Sequence, residues 1–155
     1  ASAAHAAMPM AVQPARLEVP AIDRWLAGQP KPFVVAEVPV HVLADSDAFE
    51  RQETAYMLHS TAHWQKTVHG YSGWRTLFHL QLYSEMQFFP DETSVVSLSD
   101  LGVTYIVVHT DLYPPGEWDR VEARLREFSS RLRLEHVEGA GRVYSMLKPI
   151  ADGAR

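Results

Sequence analysis

The chain has 155 residues, 46% hydrophobic and 21% charged, with a formal net charge of -5 and no cysteine. That length can bury a core as one ordinary domain, and the acidic balance excludes a broad nucleic-acid-binding surface, which needs excess Lys and Arg. The missing cysteines exclude disulfides, thiolate zinc sites and thiol catalysis together, and no stretch reaches the roughly 18–20 uninterrupted apolar residues of a membrane helix.

Residues 1–18, Ala- and Pro-rich without helical or strand period, read as an arm or linker ahead of a single domain over 19–149 and a tail over 150–155. The chain opens at Ala1 rather than Met, which fits a processed product or a piece of a longer protein. "VPAIDRWLAGQPKP" predicts a short helix, with Pro20 near its first turn, Gly28 and Pro30 as its stop, and Ile22, Trp25 and Leu26 on one apolar face. "FVVAEVPV", 33–40, is a β-branched run predicting a strand buried on both faces. "DSDAFERQETAYMLHSTAHW" opens a helix at Asp45 or Ser46, with Asp47 and Glu50 suited to its positive N-terminus and Phe49 and Tyr56 facing inward.

"WRTLFHLQLYSEMQFFPDE" predicts a helix or two broken turns ended by Pro90. "TSVVSLSDLG" predicts a short helix closed by Gly102. "VTYIVVHTD", 103–111, is apolar enough for a central strand. "PPGEWDRVEARLREFSSRL" is the clearest helix, its stripe made by Trp118, Val121, Leu125 and Phe128. "LRLEHVEG" and "GRVYSMLK" around Gly139-Ala140-Gly141 predict an antiparallel hairpin. The order predicts an α/β fold: a small three-layer sandwich with a mixed, mainly parallel sheet and a C-terminal antiparallel hairpin.

Chemistry concentrates in "YMLHSTAHWQKTVHGYSGW", residues 56–74. His59 and His63, four apart, share a helix face and with His69 offer three imidazoles to a metal, yet no HExxH carboxylate stands between them. Ser60 and Ser72 supply triad serines, but "GYSG" is one residue short of the G-x-S-x-G elbow. No Gly-rich phosphate cradle occurs, since "GAG" sits in the hairpin turn. In "HGYSGW", Gly70 and Gly73 permit positive φ or close approach of the backbone. Trp64, Tyr71 and Trp74 supply the stacking surface and polar handles that hold a sugar ring; the same composition also suits a buried turn. His109 and Asp111 leave the central strand where α/β folds place ligands.

"YMLHSTAHWQKTVHGYSGW" followed by "LSDLGVTYIVVH" resembles the C-terminal soluble region of bacterial polytopic membrane glycosyltransferases of the GT-C type. Their tails carry a stretch like Y-x-S-T-x-H-W-x-x-x-x-N-G-Y-S-G between a VVELP-like and an LGVxYVVVH-like strand. The matching pieces here are Val34–Pro39, Tyr56–Gly73 and Leu101–His109, and the similarity in motif order spans roughly residues 17–147. His69 stands where that pattern has Asn, Trp74 where Phe is more usual, and His59 where a second Tyr is common. These departures leave the turn chemistry intact but weaken a catalytic role for any one polar side chain there.

The resemblance implies an extracytoplasmic domain at the bacterial inner membrane that caps the membrane-embedded part of the same polypeptide. It implies a groove for glycan, acceptor or lipid-linked sugar, lined by His63, Trp64, Gly70, Tyr71, Ser72, Gly73 and Trp74, with His109 and Asp111 nearby. It implies no catalysis by the domain itself and no cofactor, because the GT-C catalytic acid lies between early membrane helices. The competing expectation is a free-standing hydrolase or metal enzyme using His59, His63 and His69.

Overall fold

A computed structural model describes residues 20–40, 46–63, 65–69 and 77–148. Among the described residues five α-helices and one 3-10 turn surround a five-stranded sheet of order β2-β1-β3-β5-β4. The elements run α1 (Ala21–Ala27), β1 (Val34–Val38), α2 (Ser46–Ser60), β2 (Lys66–Thr67), α3 (Leu77–Met86), α4 (Glu92–Asp100), β3 (Tyr105–His109), the 3-10 turn (Thr110–Leu112), α5 (Glu117–Glu127), β4 (Leu132–Glu138) and β5 (Gly141–Met146). β1 pairs in parallel with β2 and β3, while β5 runs antiparallel to both β3 and β4. Four strands therefore point one way and β5 alone opposes them: the mixed, mainly parallel sheet with a C-terminal hairpin that the α/β pattern predicts. None of the described helices is long and apolar enough to cross a membrane.

The pleat sorts side chains between two cores, because alternate residues of a strand face opposite sides. On one face Ala36, Val38, Ile106, Val108 and Tyr144 meet α3, α4 and α5 through Leu82, Met86, Leu98, Val121 and Leu125. On the other, Val35, Val107 and Val143 meet Ile22 and Leu26 of α1, with Phe33 beside them. Helices thus cover both faces, giving three layers. The same alternation puts Glu37, two residues after Val35, and His109, two after Val107, on the α1 face. Glu37 is paired in register with Val107, so His109 stands one side-chain step beyond Glu37 toward the strand ends.

Local chemistry explains the boundaries. Asp91 caps α4 by accepting the Ser94 backbone N–H at 2.8 Å, and the Ser94 hydroxyl accepts the Asp91 N–H at 3.1 Å, a reciprocal capping box. Gly102 ends the same region at φ 76°, a conformation that favours glycine. Trp25, expected on the buried stripe of α1, is only half-buried and stacks on His136 with centroids 4.8 Å apart. β2 corrects the sequence reading, which places helices and an aromatic-rich turn, but no strand, between β1 and β3. Two residues with an exposed Lys66 leave too short a hydrophobic signature to mark a strand.

Candidate functional site

The parallel strands β1, β2 and β3 end on the same edge of the sheet. The chain leaves β1 toward β2 on one side, whereas β3 lies on the other side of β1. The carboxyl ends of β1 and β3 therefore flank a topological switch point, where open α/β sheets form ligand crevices. Glu37 and His109 stand there, and His59 reaches them from the last turn of α2.

Glu37 Oε1 accepts from His109 Nε2 at 2.8 Å and from His59 Nδ1 at 3.2 Å. Burial by itself raises the Glu37 carboxyl, but these hydrogen bonds outweigh it and hold the group at about 2. An ionised carboxylate only accepts, which fixes the proton of each imidazole on the nitrogen facing Glu37. The hydrogen bond to Glu37 raises the His59 imidazole above its ordinary value in spite of partial burial. Tyr56 stacks on His109 with centroids 5.4 Å apart and planes 13° apart. Its hydroxyl accepts from Gln52 Nε2 at 3.0 Å and donates to the Pro39 carbonyl at 2.9 Å.

Asp23, on α1, is the fourth group. It is 2% exposed, and its Oδ2 has no hydrogen-bond partner among the described residues. Burial, then the charge of Glu37, raises its carboxyl to about 7, while His59 and His109 pull it down. Asp23 therefore shares the electrostatic environment of the cluster, although its oxygens are not among the ligand atoms that lie within 4.8 Å of one another.

A second network lies directly behind. His69 Nε2 accepts the backbone N–H of Glu37 at 2.7 Å, so the ring proton sits on Nδ1 and is donated to Glu53 Oε1 at 3.0 Å. The Tyr83 hydroxyl donates to Glu53 Oε2 at 2.7 Å. The side chains of His69 and Glu53 are 0% and 1% exposed. His69 thus continues the β1 ladder after β2 stops, because Val68 N–H still bonds the Val35 carbonyl at 3.0 Å and the imidazole then takes the next position. This network is structural: both ring nitrogens are committed.

The three histidines of the 56–74 stretch therefore divide among three sets of partners. His59 joins Glu37 and His109, and His69 joins Glu53. His63 packs against Phe33 with centroids 5.3 Å apart, while its Nδ1 accepts the Gln65 backbone N–H at 3.1 Å. Among the described residues the group of ligating side chains that converges, with all ligand atoms within 4.8 Å, is Glu37, His59 and His109; His63 and His69 are not in it. Of the groove expected from sequence, His63 is buried in this local packing, and Asp111 lies exposed on the 3-10 turn outside the cluster. Trp64, Gly70, Tyr71, Ser72, Gly73 and Trp74 lie outside the described residues.

No family model, curated protein or solved structure matches the chain. What the domain does must then follow from the site and from the order of its motifs. Beside the cluster opens a cavity of about 370 Å³ lined by Arg51, Gln52, Tyr56, His59 and His109, among others. It joins a cation, an amide, a phenol ring and two imidazoles, a set able to hold a ligand rich in hydroxyl or phosphate oxygens. Sequence reasoning missed Glu37 and Asp23. The available signal was a lone acid inside the apolar run "FVVAEVPV", since a carboxylate in a doubly covered strand needs partners.

Proposed function

We propose that the chain is an extracytoplasmic accessory domain of a membrane glycosyltransferase-like protein, binding a glycan or the sugar of a lipid-linked acceptor without catalysing transfer. Its partners are the membrane-embedded part of the same polypeptide and that carbohydrate. The observation that carries the binding half is the cavity at the β1/β3 switch point, where His59 and His109 are oriented by Glu37 and flanked by Arg51 and Gln52. The motif order supports the parentage.

Binding is tested by titrating a panel of neutral and phosphorylated sugars while recording the imidazole resonances of His59 and His109 by NMR. Saturable shifts at these two rings, diminished by Arg51→Ala, are the expected result. Resonances that stay fixed across the panel remove the binding half. The parentage is tested separately by the reading frame upstream of Ala1: several apolar segments of about 20 residues support it, and a start codon at once removes it.

A further inference from the structure

We propose that Glu37, His59 and His109 form a binding site for one divalent transition-metal ion of the zinc class, with the Asp23 carboxyl as its outer neighbour. The donor set is two imidazole nitrogens and one carboxylate, with a position left open, which suits such ions. It is not the His59, His63 and His69 set drawn from spacing alone, and it runs against the expectation of a domain without cofactors.

The distances fit. Zinc bonds to nitrogen and carboxylate oxygen of about 2.0–2.2 Å place neighbouring ligands roughly 3.0–3.5 Å apart in tetrahedral or similar geometry. Glu37 Oε1 lies 2.8 Å from His109 Nε2 and 3.2 Å from His59 Nδ1. Side chains already this close accept an ion between them with small rotations, the two N–H protons leaving as it binds. The ligands come from β1, α2 and β3, so the fold itself holds the site together.

The contrast with the neighbouring network separates an ion site from an ordinary buried hydrogen-bond cluster. A self-sufficient polar cluster satisfies its buried atoms, as His69 does with Glu53 and the Glu37 N–H. The Glu37 cluster does not close in this way. Asp23 adds a second carboxylate, almost wholly buried, with Oδ2 unpartnered among the described residues. A divalent cation held by Glu37, His59 and His109 supplies that neighbouring buried carboxyl with a counter-charge. Access exists too, because His59 and His109 line the 370 Å³ cavity; a bound hydroxyl or phosphate there would reach the ion directly.

The inference does not rest on the carbohydrate reading: a chain that takes up zinc but no sugar keeps this site and loses that function, and the reverse result does the opposite. The test uses the full chain, purified without a histidine tag and freed of metal by chelator, titrated with Zn²⁺ by calorimetry and with Co²⁺ by visible absorption. One ion per chain is expected, with Co²⁺ giving the intense visible band of a low-coordinate nitrogen–oxygen site. His59→Gln, His109→Gln and Asp23→Asn should each weaken zinc by about 10–100-fold, whereas His63→Gln should leave it unchanged. Absence of saturable zinc binding, or affinity untouched by both His59→Gln and His109→Gln, overturns the site; affinity untouched by Asp23→Asn removes Asp23 from it. Should circular dichroism show a variant unfolded, imidazole NMR of the wild-type chain decides. Zinc-induced shifts at His59 and His109 uphold the site, and shifts confined to other histidines overturn it.

Discussion

His69→Ala should be among the most damaging single changes that leave the apolar cores untouched. The imidazole performs two buried tasks, accepting the Glu37 N–H at 2.7 Å and donating to Glu53 at 3.0 Å. Removing it orphans a backbone N–H in mid-sheet, at about 1–3 kcal/mol, and takes one donor from an almost fully buried carboxylate, at about 1.5–3 kcal/mol. The sum, roughly 2.5–6 kcal/mol, brackets the cost of about 3–5 kcal/mol for breaking a buried charged pair and is a large part of the stability of a domain this size. Urea denaturation near pH 7 with chelator present measures it, the m-value checking that the same surface is exposed. Tyr83→Phe removes a second donor to Glu53 and should cost about 1.5–3 kcal/mol. Since both changes converge on one carboxylate, the double variant should depart from additivity by at least about 0.5 kcal/mol. A loss below about 1 kcal/mol for His69→Ala at unchanged m-value, or strict additivity with Tyr83→Phe, would refute the network as a structural unit.

Three other outcomes follow from the geometry. His63 must be neutral at Nδ1 to accept the Gln65 N–H, and burial lowers its imidazole below the ordinary value. Its stabilising contribution is therefore full above the unfolded value of about 6.5 and is lost as pH falls from there through the lowered folded value. His63→Gln should flatten stability against pH below about 6.5, and an unchanged profile from denaturation at several pH values counts against this role. Gly141→Ala places a Cβ 2.6 Å from Ile22 Cδ1 and 3.2 Å from the Glu138 carbonyl oxygen. It should lower the unfolding free energy by about 1–3 kcal/mol and be partly rescued by Ile22→Val, which removes Cδ1; an unrescued double variant contradicts the steric account. Asp91→Ala, which deletes the α4 cap, should cost about 1 kcal/mol by thermal or urea melts, with no effect at all as the contrary result.

How much of this was legible depends on which face of each element is apolar. β1, β3, α5 and the hairpin follow from their periods because their inward faces are Val, Ile and Leu. α2 is different. Its inward stripe includes Phe49, Gln52, Glu53, Tyr56 and His59, mostly polar, so hydrophobic periodicity finds the helix through Phe49 and Tyr56 but misreads what it buries. Strand-exit reasoning found His109, and residue composition found His59, yet nothing local joins them. Glu37 is 22 residues from His59 and 72 from His109, and only the parallel register of β1 and β3 makes them neighbours. Asp23 carries no signal of its own in the sequence, since its neighbours Ile22 and Leu26 account for that helix by themselves.

The two imidazoles on Glu37 and the one on Glu53 show why counting histidines in a motif does not locate a site. His69 lies in the stretch that first suggests metal chemistry, but a backbone N–H occupies one ring nitrogen and a carboxylate the other. To ligate an ion it would have to abandon the sheet edge it completes. His59 and His109 each spend one nitrogen on Glu37, and no hydrogen bond among the described residues engages the other. Both also keep part of their surface at the cavity, their side chains 23% and 14% exposed. An imidazole with solvent access and a single carboxylate partner can exchange the N–H proton it donates to that partner for an ion without damaging the fold. Chemistry therefore belongs where a polar network remains open, at Asp23, Glu37, His59 and His109, and architecture where it has closed, at Glu53, His69 and Tyr83.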